Sequence, residues 1–204
     1  MQKVYDIEGQ LYWTVNLSRQ MQQDNQYHIR DIWNDAYSFY DVAGDGYLVY
    51  PGAKYGIENA LPSIRLEAIR DGFEDYEYLY LLEEMLPALN EQYGTDYTLA
   101  EYVQHLSDKL FDGTKPTTTD ENITLSKNEL ADLILMAKNG ILISKENNRI
   151  CIFAPSNITS LKLNGNSLSR DQSNTNLFYA EANKNNSLEF TNSDGKTITI
   201  RYSL

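Results

Sequence analysis

The residues with most chemistry to offer are two tryptophans, two histidines, one cysteine and the acids of a central helix. His28 and His105 have no partner at metal-ligand spacing, so no metal and no cofactor are expected. Cys151 is the only cysteine, which excludes an internal disulfide. Its neighbours Ile150, Ile152 and Phe153 predict a buried, inert thiol. Glu74-Asp75 is an adjacent acid pair, but neighbours on a helix point about 100° apart and do not converge on one pocket. The pair reads as structural, with Arg70 as a partner. Arg65 and Arg70 read as ion-pairing helix residues, and Asp45, between Gly44 and Gly46, reads as a turn residue. No catalytic residue is assigned on these grounds. Indole and phenol rings offer flat apolar faces with a polar tip, and an amide both donates and accepts hydrogen bonds.

The elements that would position them differ along the chain. Leu11-Tyr12-Trp13-Thr14-Val15-Asn16 is dense in aromatic and β-branched residues and predicts a buried strand. Residues 18–44 form a long polar connection, of the kind that more often binds than merely links. Gly44-Asp45-Gly46 then turns into a second short strand, Tyr47-Leu48-Val49-Tyr50, stopped by Pro51-Gly52. Leu61-Pro62-Ser63 opens a helix, with Pro62 in the first turn and Ser63 as cap. Leu66, Ile69, Phe73, Tyr76 and Tyr80 form its apolar face.

From about residue 86 to 139 the pattern is helical, with a loop from Asp112 to Asp120. Leu99, Val103, Leu106 and Leu110 keep helical spacing. Ser126-Lys127-Asn128-Glu129 has the form of a capping box opening a second helix, which Gly140 ends. Residues 140–204 change to short β-rich runs: Ile141–Ile143, Ile150–Phe153, Ser160–Leu163, Leu177–Ala180, Ser187–Phe190 and Thr197–Tyr202. Asn164-Gly165 and Asp194-Gly195 are hairpin signals. The expected class is α+β, with a small antiparallel sandwich after residue 139.

Bulk properties narrow the partners. The 204 residues carry a formal charge of −12, which argues against nucleic acid and anionic membranes. No apolar run approaches the roughly 20 residues of a membrane span. Met1-Gln2-Lys3 leads into no signal-peptide pattern, and the compartment is not assigned. Tyrosine occurs 16 times, which suits sugar binding and equally suits core packing with one wet edge.

Three stretches in order carry a resemblance. They are Gly9–Asn16, then Gly44-Asp45-Gly46-Tyr47-Leu48-Val49-Tyr50-Pro51-Gly52, then the longer run from Pro62 through Arg65, Gly72 and Tyr76 to Leu79. Together they resemble the C-terminal part of the catalytic domain of glycoside hydrolase family 123. The resemblance implies the last strands and closing helix of a (β/α)8 barrel over residues 1–139, with a helical extension. It implies a terminal β-linked N-acetylgalactosamine as substrate and catalysis assisted by the sugar's own acetamido group. The family's Asp-Glu pair is expected on an earlier barrel strand, upstream of this sequence, so the chain alone is expected to be inactive. A separate N-terminal part of the barrel would then be its partner. In such barrels the site lies at the C-terminal strand ends. That places Trp13, Asn16 and Tyr50 toward the sugar, with Trp33 as a wall. Barrel filling is the other role open to Trp13 and Tyr50. A non-catalytic carbohydrate-binding or structural module is the alternative function. In residues 140–204 the aromatics Phe153, Phe178, Tyr179, Phe190 and Tyr202 fall mostly in strand-core positions, which favours packing over binding.

Overall fold

The computed structural model describes the chain except residues 1–2, 4–6, 8, 10, 13, 17–18, 22–23, 30–31, 36, 38–43, 45, 113–114, 117–118, 147–148, 182 and 204. The class is α+β, with three helices and antiparallel sheets among the described residues. The chain divides into two compact units, Ile7–Glu74 and a larger one of Met1–Asp6 with Asp75–Leu204. The expected boundary at 139/140 is one of sequence character, whereas the compact units part at 74/75.

In the smaller unit, β1 (Arg19–Met21) pairs with β2 (Tyr27–Ile29), and β3 (Val49–Pro51) pairs with β4 (Ala60–Pro62), both antiparallel. A 3-10 turn, Gly52–Tyr55, joins the second pair and ends at Gly56 in the left-handed region. Leu11–Asn16 was expected as a strand. Its described residues make only an isolated antiparallel bridge, Asn16 to Tyr47, with Val15 O accepting from Leu48 N and Val49 N. One bridging strand cannot occupy a whole ladder of backbone groups, so regular β structure stops there.

α1 (Ile64–Tyr93) starts one residue after Ser63, whose Oγ accepts from Leu66 N at 3.3 Å. The expected cap is correct, but Pro62 lies in β4 rather than in the first turn. Phe73 and Tyr80, expected on the apolar face, are exposed, while Leu82, Leu86 and Leu89 are buried instead. The helix also runs through Pro87, across the regional boundary expected near residue 86. Proline removes one backbone bond. Here Pro87 faces outward, and the leucines of the opposite face anchor the helix on either side of it. Gly94, at φ 67°, ends it. Arg70 pairs with Glu67 at 2.6 Å and Glu74 at 3.6 Å, and Asp75 pairs with Lys127, so these groups are structural as expected.

In the larger unit, α2 (Leu99–Ser107) opens on a capping box in which the Glu101 carboxylate accepts from Thr98 N at 2.6 Å. β5 (Phe111–Asp112) and β6 (Lys115–Pro116) make a short hairpin, and Leu110 lies beyond the end of α2. α3 (Asp120–Lys138) is capped by Thr119. The capping box expected at Ser126–Glu129 is therefore incorrect. Both residues are buried in mid-helix, and Thr119, just before Asp120, is the cap.

The remaining chain forms two antiparallel sheets. β7 (Leu142–Glu146), β8 (Arg149–Phe153) and β11 (Leu177–Glu181) make a three-stranded sheet in the order β11-β8-β7. β9 (Ile158–Leu163), β10 (Asn166–Ser167), β12 (Asn185–Asn192) and β13 (Thr197–Ser203) make a four-stranded one, β10-β9-β12-β13. Both expected hairpins form. Asn164 and Gly165 have φ of 53° and 81°, as a tight β9–β10 turn requires. Alternating strand residues and the helix leucines share one hydrophobic cluster, with Phe190, Leu188, Ile150 and Ile152 at zero exposure.

Helix side chains take up a backbone group on one edge strand of each sheet. Asp132 of α3 accepts from Arg201 N on β13, and Tyr102 of α2 donates to Ile143 O on β7. An edge strand otherwise presents unpaired groups to other chains.

Arg170 holds the sheet connections. Its guanidinium donates to the carbonyls of Ala154, Pro155, Ile158 and Thr175 at 2.6–3.1 Å and lies 4.8 Å from the Phe178 ring. Arg170→Ala leaves four carbonyls short of a donor and is expected to cost about 2–3 kcal/mol in urea unfolding. Arg170→Lys should recover little of that, because an ammonium cannot reproduce the planar fork.

Candidate functional site

The candidate site lies in the smaller unit, where β3 ends and the 3-10 turn begins. Trp33 comes from the turn Ile32–Asn34, whose Ile32 is buried. Its ring lies 4.9 Å from that of Tyr50, at 44°, and 4.9 Å from that of Tyr55, nearly edge-on at 81°. Tyr47, fully buried, lies 6.1 Å from Tyr50. The result is an aromatic cluster, buried at Tyr47, half-buried at Tyr50 and Trp33, and open at Tyr55.

The backbone around it is tightly set. Ser63 N donates to Leu48 O at 2.9 Å, and Ile57 N to Gly52 O at 3.2 Å. A Cβ on Gly52 would come within 2.2 Å of Asn59 O, so only glycine lets the loop close behind the cluster.

Two cations border the rings. Lys54 Nζ lies 5.8 Å from the Trp33 ring and 6.0 Å from that of Tyr55, within cation–π range. Arg65 Nη1 points at Tyr47 O, 3.5 Å away, and at the Tyr50 hydroxyl, 3.4 Å away. Arg65 was expected to be an ion-pairing helix residue. That expectation is corrected, because no carboxylate pairs with it among the described residues. Its helix neighbours at three and four residues are Ala68 and Ile69, which offer no charge. The Trp33 indole nitrogen is buried and has no hydrogen-bond partner among the described residues.

Of the residues singled out in the sequence, Trp33 and Tyr50 come together. Asn16 is exposed and joins the cluster through its backbone bridge to Tyr47. Trp13 and Asp45 lie outside the described residues. Arg65, Lys54, Tyr47 and Tyr55 were missed as site residues. For Lys54-Tyr55 a signal existed: the pair follows a strand stop, and loop positions at strand ends often carry binding groups. The Asp-Glu dipeptide Asp120-Glu121 opens α3, where acids favour the helix dipole.

The larger unit holds titratable groups of a structural kind. No three His, Cys, Asp or Glu residues gather as a metal site among the described residues, and no described helix is long and apolar enough to cross a membrane. Ser144 Oγ donates to the Tyr97 hydroxyl, which donates to Glu146. Tyr93 donates to Gly140 O. Burial pushes Tyr93 up to about 12 and Tyr97 up to about 12, the latter with help from Glu146. Burial, aided by Glu146, also pushes the Cys151 thiol up to about 12. The expected inert thiol fits its 1% exposure.

These three groups favour the folded state when neutral. Their contribution is fully present below their unfolded values, near 9 for the thiol and near 10 for the phenols. It is lost as pH rises through about 12. Urea midpoints are therefore expected to fall between these limits, and Tyr97→Phe should flatten that fall. A midpoint unchanged across the window would contradict the assignment.

Aromatic faces flanked by hydroxyl and cationic donors make a surface suited to carbohydrate, and the comparison with known families points the same way. Residues 1–82 match the model of the glycoside hydrolase 123 catalytic domain, so this part of the chain is a glycoside-hydrolase-like segment. No curated protein and no solved structure matches the chain.

Proposed function

We propose that residues 1–139 are the C-terminal part of a (β/α)8 glycosidase barrel with a helical extension. Residues 140–204 are then a small antiparallel β-sandwich appended to it. The barrel part contributes sugar contacts for a terminal β-linked N-acetylgalactosamine through Trp33, Tyr50, Asn16 and Trp13. The supporting observation is that the family match over residues 1–82 contains the Trp33–Tyr50 pair, set where β3 ends. No catalytic residue is assigned to this chain. The acid pair that acts with the sugar's acetamido group would come from the N-terminal part of the barrel.

The chain alone should therefore release no nitrophenol from the β-N-acetylgalactosaminide above the buffer rate. Robust release would sink this reading. Calorimetry with the sugar at millimolar concentration should show binding, weakened about tenfold or more in Trp33→Ala.

A second reading is a non-catalytic carbohydrate-binding or structural module. It is favoured by the hydrophobic cluster of the larger unit, most of which lies outside the matched segment. Unchanged inactivity after adding the upstream barrel part, with sugar binding retained, would select it.

A further inference from the structure

The geometry points to an oxyanion subsite beside the aromatic cluster, so that the sugar taken there carries a sulfate ester or a carboxylate. This rests on the sugar-binding reading above. Three donors border Tyr50 and Tyr55, and none has an acid partner among the described residues.

The first donor is Arg65. A guanidinium has five N–H donors in a rigid fork that matches the oxygens of an oxyanion. Here it makes two long contacts, 3.4 and 3.5 Å, to a phenol and a carbonyl. Arg70, five residues on in the same helix, is surrounded instead by Glu67, Asp71 and Glu74. The contrast is informative because the chain carries 29 acids against 17 bases. A half-buried cation without an acid is costly in such a chain unless a ligand supplies the charge.

The backbone is shaped to hold this guanidinium in place. Gly44 is buried at φ +71°, and a Cβ there would fall 1.7 Å from Arg65 Nη2. The missing side chain lets the guanidinium lie against the loop.

The second donor is the Trp33 indole N–H, buried and unpartnered. A ring serving only as a stacking platform needs no buried donor, and leaving one unsatisfied costs about 1–3 kcal/mol. The nitrogen has no contact with solvent in this structure, so a ligand oxygen reaches it only when the side chains over it give way. The third is Lys54, exposed above Trp33 and Tyr55 and without a carboxylate contact among the described residues, which adds charge at the open side.

The test uses the full chain and three sugars: N-acetylgalactosamine, its 6-sulfate, and galacturonate. Binding is followed by calorimetry and by the indole N–H signals in nitrogen-15 spectra, where the two tryptophans give two resonances. The 6-sulfate, the uronate or both should bind about tenfold tighter than the neutral sugar. The more strongly bound acid identifies the source of the anion. The Trp33 indole signal should shift with the acidic sugar and much less with the neutral one. Arg65→Gln should abolish the tenfold preference while neutral-sugar binding persists. Lys54→Gln, at an exposed site, should reduce the preference and its salt dependence even if the Arg65 variant folds poorly.

Equal affinity for neutral and acidic sugars would overturn the anion subsite and leave the sugar-binding reading standing. A preference that survives both substitutions would overturn it as well. Absence of binding by all three sugars would overturn both.

Discussion

Truncating Phe190 to alanine should lower the unfolding free energy of the larger unit by about 3–5 kcal/mol, the cost of emptying a large buried aromatic site. Phe190 has zero exposure at the centre of the four-stranded sheet, flanked in register by Leu161 of β9 and Ile198 of β13. Leu188, two residues before it on the same face, is flanked by Leu163 and Ile200. Neighbours paired on both sides cannot collapse into the space without breaking the ladder, so relaxation recovers little. Urea unfolding is the direct measurement, with the midpoint lowered and the slope kept. Tyr179→Ala on β11 is the control: its ring is 40% exposed, so the loss should stay near 1 kcal/mol. Equal losses for the two would show that the shared cluster is not what holds the sheets together.

The legible parts of this fold were those written in short-range pattern. The strands β8, β9, β11, β12 and β13 alternate or cluster apolar residues between turn signals, and both Asn-Gly and Asp-Gly turns lie where strands reverse. Gly140, at φ 73°, ends α3 as expected. The errors arose where a local motif competed with a longer context. Ser126–Glu129 has a cap's spelling, but Thr119 caps the same helix earlier. Phe73 and Tyr80 keep the spacing of an apolar face, yet the buried face of α1 is carried further on by Leu82, Leu86 and Leu89. In the candidate site, Trp33 and Tyr50 were readable by type. Arg65 was not, because its role follows from an absence: helix neighbours without charge and a glycine backbone that admits the guanidinium. A sequence does not display that until the chain is folded.

The same limit hid Glu129, whose replacement should be the other large loss. Its carboxylate is 5% exposed and meets His105 Nε2 at 2.8 Å and Lys109 Nζ at 2.8 and 3.0 Å, tying α2 and the segment after it to α3. His105 also stacks on Tyr202 of β13, 5.2 Å away. Lys109 Nζ lies 3.0 Å from the same His105 nitrogen. One nitrogen cannot both donate to Glu129 and accept from Lys109, so the carboxylate is the group both neighbours depend on. Glu129→Leu strips a buried partner from two cationic or polar groups and should cost about 3–5 kcal/mol. Glu129→Gln keeps the shape and one acceptor and should cost less. Combining Glu129→Leu with Lys109→Met should recover part of the loss, since the ammonium that faced the lost carboxylate is then gone; the coupling is read from a double-mutant cycle in urea. Strict additivity of the two single losses would mean that the carboxylate and the ammonium act independently, and that the packing of α3 alone sets the cost.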